Sequence, residues 1–531
     1  MINKRILEIV FVAICVVIMS FLLFSSIRSE SPTYDEVTYT EGGYQFLVNK
    51  DFRFDPFNPP LAKEILAIPA IINKSVIYDP VIFWPRVMVV LSSITLAIIV
   101  YLFSKNLFGN RAAKLSLILF IFEPNILANG HYATADMIFT FFFILTLYIY
   151  WLWRKKITFW RMAIFSVIVG LLLSTKLTSI PFLIVPLLII YFLDLKKKND
   201  FLKLSFWKKR IWPIALSVFI VLITLWATYF FKLEPPLGYR FDIHRPAIAL
   251  AKNNPVIKFL LTVPVPLGSY ISTIKQFMMF NTKLYIKRSF ILGMRSLYGT
   301  SGYYFPVLFA LKTPLPELIF FFLSLLFFYK NIKHDKYILI PLFFIFFLVL
   351  FSHIALVNRY ILPVYPLIAI YAGQIFNLKF KNQKIIYLLI GLMLAWYVNS
   401  AIGSFPYFIS YANEIAGGPK NEYKYILDSN YDWGQGLIAL KSYQDKNHIK
   451  DLQLAYFGSI DPTKYGLQYE KIKNLAINDN KKTEKLHFDI DHTIAISATC
   501  WYFCGYYKDP EFINIKPVDV VGGSILIFKN K

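Results

Sequence analysis

The sequence predicts a polytopic α-helical membrane protein that ends in a small α/β module. Three observations predict it. Of the 531 residues, 57% are hydrophobic and only 17% are charged, where a soluble domain carries about a quarter. Apolar runs recur at or near the roughly 20-residue length that crosses a bilayer. After Ser404 the pattern changes to helix-like pieces alternating with short strand-like runs. The net charge of +24 sits mostly in short loops between the apolar runs, which is the topogenic pattern. A nucleic-acid binder would gather it on one soluble domain. The implied partner is the lipid bilayer, with no nucleic acid.

Lys4 and Arg5 precede an apolar run too long for a signal-peptide core, so that run reads as a retained anchor. About eleven spans follow the hydropathy: 6–27, 84–104, 112–126, 133–153, 160–175, 177–193, 211–231, 313–329, 337–353, 360–377 and 384–403. The 160–193 stretch reads as two short helices around Ser174-Thr175-Lys176 or as one kinked element. One alternate set of loops is basic throughout: Lys105, Arg111 and Lys114; Arg154 to Arg161; Lys196 to Arg210; Lys330, Lys333 and Lys336; Lys379, Lys381 and Lys384. These loops are assigned to the cytoplasm. The loops 28–83, 127–132, 232–312 and 354–359, the turn at Lys176 and the tail then face the other side. The expected division is a membrane part, 1–403, and an extracytoplasmic α/β domain, 404–531.

Within loop 28–83, Glu36 to Asn49 reads as an amphipathic helix. Asn58-Pro59-Pro60 interrupts the chain, because proline removes a donor and fixes φ, and a helix resumes over Lys63 to Ile72. Loop 232–312 reads as helical around Ala247 to Leu261 and Ser269 to Lys283. The tail reads as a helix over Leu437 to Asp445 and strands over Leu452 to Phe457, Thr493 to Ala498 and Ser524 to Phe528. Cys15 reads as packing inside the first span. Cys500 and Cys504 either pair in an oxidising compartment or stay as thiols.

The chemistry-bearing candidates share one side of this topology. Asp35-Glu36 follows the first span, where acidic residues at a bilayer need a reason. It reads as a general base or metal ligand, or Asp35 as a helix cap. Asp136, in His131-Tyr132-Ala133-Thr134-Ala135-Asp136-Met137, stands where a helix dipole favours an acid. A cap needs only one of Thr134 and Asp136, which leaves the other unexplained. Arg86, Lys176 and Arg359 either snorkel to head groups or form a phosphate clamp. Two acidic sites on the same side favour the clamp. Together these groups point to transfer from a lipid-linked phosphosugar. Asp35 would deprotonate an acceptor hydroxyl, and the sugar would leave its phosphate through an oxocarbenium-like transition state. The clamp, or a divalent cation (Mg2+ or Mn2+), would stabilise the charge on the leaving phosphate. A flippase for lipid-linked sugars is the alternative: it shares the clamp without needing a base. The missing internal repeat and the gathering of ionisable residues at one face count against it.

At these residues the chain resembles the dolichyl-phosphate-mannose–protein mannosyltransferases. The resemblance is carried by Asp35-Glu36, Asn58-Pro59-Pro60-Leu61-Ala62-Lys63 and Ala133-Thr134-Ala135-Asp136-Met137. It continues in Tyr303-Tyr304-Phe305-Pro306, Lys312-Thr313-Pro314 and Asn358-Arg359-Tyr360-Ile361-Leu362-Pro363-Val364-Tyr365-Pro366. The tail run from Leu427 to Gln435 is similar to prokaryotic members with a C-terminal extension. The resemblance implies a C-type glycosyltransferase fold and a polyprenyl-phosphate sugar donor, with mannose or another hexose transferred by inversion to a hydroxyl on protein or glycolipid. It implies catalysis at Asp35 and Glu36, Asp136 as a second acidic site, and Arg86 and Arg359 near the donor phosphate. Many relatives carry histidine where this chain has Asn58. Asn58, Lys63, Asp432 and Trp433 stand as acceptor-side or structural candidates, with the structural reading ahead for the tail pair. Loop 232–312 has no room for the β-trefoil module of the eukaryotic enzymes. That implies a bacterial or archaeal type in the plasma membrane, with its site facing outward. A weaker similarity runs to the lipid A aminoarabinose transferases.

Overall fold

The computed structural model describes residues 4–55, 57–195, 208, 210–236, 254–280, 289–296, 302–326, 328–352, 357–378, 382–472, 492–508, 512 and 515–529. The basic loop 196–207, Lys209, Lys379 and Lys381 lie outside the described residues, as do 247–253 and 281–283 of the two helices expected in loop 232–312. The rest of those helices is present as Pro255–Thr262 and Gly268–Phe280.

Four described helices are long and apolar enough to cross a membrane. They are α1 (Lys4–Ser29), α4 (Phe83–Phe108), α7 (Ala135–Lys155) and the helix Gln383–Ile402. Tyr304–Lys312 and Leu315–Leu325 form a pair bent by 111°, broken where Pro314 removes a donor. Three shorter apolar helices are α8 (Phe159–Leu173), α9 (Ser179–Leu193) and Ile211–Ala227. The 160–193 stretch is therefore two helices, parted at Ser174 to Thr178.

Two of the expected spans are built from short helices. The 112–126 run is α5 (Asn110–Ile121, 12 residues), which ends before the six-residue α6 (Pro124–Asn129). At 1.5 Å per residue α5 is about 18 Å long, short of the roughly 30 Å hydrocarbon core. The 360–377 run holds a nine-residue α-helix, Val364–Ala372, between 3-10 turns. Every residue of that helix is buried. Hydropathy alone does not separate a span from a helix enclosed by other helices. Gly109, at φ +90°, lets the chain reverse between α4 and α5.

The loop after α1 folds as two short helices, α2 (Glu36–Tyr44) and α3 (Leu61–Ile72), with a single π turn over Gln45–Asn49. α2 and α3 pack at Gly43, where an added Cβ would stand 2.0 Å from the Lys63 carbonyl oxygen. The Lys63 ammonium is buried against the intervening loop. It meets Asp55 Oδ2 (2.7 Å) and donates to the carbonyls of Asp55 (2.7 Å) and Asn58 (3.3 Å). Lys63 is thus a structural tether, and burial pulls its ammonium below the ordinary lysine value against the pull of Asp55.

The tail forms a five-stranded sheet in the order β6-β5-β7-β9-β8. Its strands are β5 (Leu452–Ala455), β6 (Glu470–Lys471), β7 (Thr493–Ser497), β8 (Asp519–Val521) and β9 (Ile525–Phe528); the paired strands β1 (Leu233–Glu234) and β2 (Val265–Pro266) and the hairpin β3 (Ser289–Ile291) and β4 (Met294–Ser296) precede it. β5 pairs in parallel with β6 and β7, and β9 runs antiparallel to β7 and β8. Side chains alternate between the faces with the strand period. Ile525 and Ile527 face the helix Leu437–Lys446 through Leu437 and Leu440. Leu526 and Phe528 face Trp501, Tyr506 and Phe512. Cys500 and Cys504 are bonded to each other.

Gly43→Ala is expected to force α2 off α3, at a cost of about 1–3 kcal/mol for overpacking. Thermal unfolding in detergent measures it. An unchanged midpoint would contradict the close approach.

Candidate active site

Asp35 is the residue before the first turn of α2, but its side chain makes no capping hydrogen bond. Its Oδ2 instead accepts from Arg359 Nη2 at 3.0 Å. Its side chain keeps 30% of its surface exposed. Asp136 lies in the first turn of α7 and is 1% exposed. The preceding Thr134 does not cap that helix either, and its buried hydroxyl has no partner. Asp136 Oδ1 accepts from Lys176 Nζ (2.6 Å), and Asp136 Oδ2 stands 3.7 Å from Arg359 Nη1. The two aspartates, separated by about a hundred residues in sequence, therefore share one guanidinium. Four of the expected site residues, Asp35, Asp136, Lys176 and Arg359, come together.

Aromatic rings back the cations. The Arg359 guanidinium lies 4.1 Å from the centre of the Trp433 ring, and the Lys176 ammonium lies 3.8 Å from that of Tyr360. Arg359 Nε and Nη1 are buried without a hydrogen-bond partner. Such a face-on cation gains from the ring quadrupole and keeps in-plane donors for a planar or tetrahedral anion.

Arg86 and Glu36 do something else. Arg86 Nε and Nη2 donate to Glu36 Oε1 (2.8 Å) and Oε2 (2.7 Å). Nη1 donates to the carbonyls of Ile27 (3.2 Å) and Glu30 (2.8 Å), and Nη2 also to that of Ser31 (3.0 Å). A guanidinium has five N–H groups, and all are spent. Arg86 has no donor left for a phosphate, so the expectation that it binds one is corrected. Glu36 also accepts from the backbone N–H of Thr33 (2.7 Å) and Ala133 (2.6 Å) and is fully buried. Burial pushes its carboxyl up, but Arg86 and the two N–H groups hold it below the ordinary value. The expectation of a catalytic Glu36 is corrected in the same way: both its oxygens are buried and taken up by Arg86 and backbone N–H groups, so it anchors the loop.

The tail builds part of the pocket. Ser31 and Tyr34 donate backbone N–H groups to the carbonyls of Gln435 and Trp433, both at 3.0 Å. Asn358, beside Arg359, donates its N–H to Asn430 Oδ1 (2.7 Å) and its side-chain amide to Asn125 Oδ1 (2.6 Å). Lys312 donates to Glu422 Oε1 (2.8 Å) and to the carbonyls of Ile409 (2.8 Å) and Asn430 (2.9 Å). Asp432 is a structural bracket: its Oδ2 accepts from Thr499 N–H (2.7 Å), and burial raises its carboxyl to about 7. Trp433 touches the site directly, ahead of its structural expectation.

Sequence reading passed over Tyr39 and Tyr360 as site residues and set Asp428 only within the tail motif. Asp428 sits at φ +59°, a costly region for a residue with a side chain. Burial and the nearby Asp35 charge raise its carboxyl, and Arg359 opposes this. Tyr39 and Tyr360 carried a local signal: Tyr39 is one helical turn from Asp35, and Tyr360 is adjacent to Arg359.

Arg86→Met is expected to cost about 3–5 kcal/mol, because it leaves the buried Glu36 charge uncompensated. Thermal unfolding in detergent checks this. A variant as stable as the parent would show that the guanidinium is not the anchor described.

Residues 9–235 match the sequence profile of the family described as dolichyl-phosphate-mannose-protein mannosyltransferase. A search of curated proteins finds no match. Among solved structures, ArnT from Cupriavidus metallidurans in the apo state aligns with a TM-score of 0.51 at 14% identity, covering 98% of this chain and 97% of that one. The same protein bound to undecaprenyl phosphate aligns at 0.50 and 13% identity, covering 100% and 99%. The S. cerevisiae protein O-mannosyltransferase Pmt1-Pmt2 complex bound to the sugar donor aligns at 0.54 and 10% identity, covering 76% and 90%. Residues 9–235 thus carry the mannosyltransferase family's sequence pattern, and the chain has the fold of the C-type glycosyltransferases.

Proposed function

We propose that this protein transfers a sugar from a polyprenyl-phosphate donor to an acceptor hydroxyl at the extracytoplasmic face of the membrane. The observation that carries the reading is the meeting of Asp35 and Asp136 at the single guanidinium of Arg359. The family match and the fold support a lipid-linked sugar transferase. Structural relatives are described as bound to undecaprenyl phosphate and to a sugar donor. The outward orientation is supported by the basic loops opposite the site. It is also supported by the Cys500–Cys504 bond, which suits an oxidising compartment. The proposed boundary between membrane part and tail module is residue 404.

In this mechanism the donor phosphate takes up the unpartnered donors of Arg359 and draws its guanidinium from Asp35. Lys176, held by Asp136 over the Tyr360 ring, adds a second positive charge. Asp35 then accepts the proton of the acceptor hydroxyl. The acceptor oxygen forms a bond to the anomeric carbon, and the bond from that carbon to the phosphate oxygen breaks. Its electron pair leaves on the phosphate, beside Arg359. Attack opposite the leaving group inverts the anomeric centre. The sugar is mannose or another hexose, and the acceptor is a protein or a glycolipid.

Among the described residues no three histidine, cysteine, aspartate or glutamate groups are placed together to hold a divalent cation. Asp35 and Asp136 are already matched to Arg359 and Lys176.

Asp35→Asn is expected to lower sugar transfer by about 100-fold or more, with an unchanged unfolding temperature. Arg359→Gln is expected to weaken the use of donor instead, raising its KM. Purified protein with labelled polyprenyl-phosphate sugars, and mass spectrometry of the product, measures both and identifies the acceptor. Parental activity in Asp35→Asn would remove the base. Lipid translocation in vesicles without glycosyl transfer would replace the enzyme with a flippase.

A further inference from the structure

We propose that Tyr39 is a further catalytic residue, whose phenol hydroxyl donates a hydrogen bond to the leaving phosphate oxygen of the lipid-linked donor. The inference rests on the glycosyl-transfer reading above and adds a group that no motif named.

Tyr39 lies four residues beyond Asp35 on α2, and its N–H donates to the Asp35 carbonyl (3.0 Å). Residues four apart lie on one face of a helix, so Tyr39 stands beside Asp35 and within reach of the charges of Asp136 and Arg359. The Tyr39 hydroxyl oxygen accepts from the Asn58 side-chain amide at 3.1 Å. Asn58 is held in turn, since its carbonyl and those of its loop are tied by the buried Lys63 ammonium. A phenol oxygen that accepts from an amide has its own hydrogen left to give. The charges that act on it are those of Asp35, Asp136, Arg359 and Asp55. Burial and the two site aspartates hold the phenol well above its ordinary pKa, so it stays a neutral donor.

The chemistry selects the recipient. A hydrogen bond given to the acceptor's nucleophilic oxygen would withdraw electron density that the attack needs. A phosphate oxygen gains negative charge as its bond to the sugar breaks, and a fixed neutral donor stabilises that charge. Tyr39 transfers no proton; it only strengthens a hydrogen bond as the electron pair arrives on the phosphate. Asn58 is a positioning residue for it. This accounts for the pairing of Asn58 with Lys63 in one short motif.

Tyr39→Phe keeps the ring and removes the donor. With a polyprenyl-phosphate sugar as substrate it is expected to lower kcat by about 10- to 100-fold, with a nearly unchanged donor KM and unfolding temperature. The loss is expected to shrink with a phosphorothioate donor, whose leaving group is less basic. A merely structural role would lose the same factor with both donors. Should Tyr39→Phe fail to fold, Asn58→Ala is expected to show the same pattern with a kcat loss of about 3- to 10-fold. A parental rate in Tyr39→Phe, or an equal loss with both donors, overturns the inference. Asp35→Asn, assayed alongside, separates this failure from failure of the base reading.

Discussion

The site depends on one buried ion pair. Arg86 gathers the carbonyls at the end of α1 and the carboxylate of Glu36 around a single guanidinium. Glu36 extends the same junction to the backbone before α7 through Ala133. Burying two charges is costly unless every donor and lone pair is satisfied, and here the guanidinium is fully satisfied. The result is a rigid corner between α1, α2, α4 and α7. Successive residues on a helix point about 100° apart. With Glu36 held inward by Arg86, Asp35 is turned away toward Arg359. The two neighbouring carboxylates therefore have different work, and the inner one sets the direction of the outer.

A second layer of constraint comes from the tail. The 428–435 segment pairs through its backbone with Ser31 and Tyr34, places Trp433 across Arg359, and holds Asn358 through Asn430. Thr499, in the short helix Ala498–Phe503 that follows β7, brackets Asp428 and Asp432. The sheet module therefore acts on the site through one short segment, whose left-handed Asp428 is tied by its N–H to the Thr499 hydroxyl. The tail is a wall of the site as well as an appended module.

The pocket also shows how charge is balanced before any substrate enters. Asp35, Asp136 and the nearby Asp428 face Arg359 and Lys176, each cation resting on an aromatic ring. A ring stabilises a cation without consuming its donors. Arg359 can thus be held in place and still present N–H groups to an anion. Arg86 presents the opposite case, held in place by spending every donor.

The sequence by itself determined the long apolar helices, the helix starts around Asp35 and Asp136, and the family pattern carried by residues 9–235. These follow from local properties: apolar run length and residue order. For 160–193 it left two short helices or one kinked element open, and the structure has two helices with Lys176 between them. Tertiary structure alone decided which cation does which work. Arg86 and Arg359 look alike in a chain of letters, since each stands at the edge of an apolar run. Only the folded backbone shows that five acceptors surround one, while the other lies between two aspartates and an indole. The same holds for Glu36 against Asp35, for the enclosure of α5 and Val364–Ala372 by other helices, and for Trp433. Each depends on what is brought near from distant positions, and side-chain spacing along the chain carries no record of that.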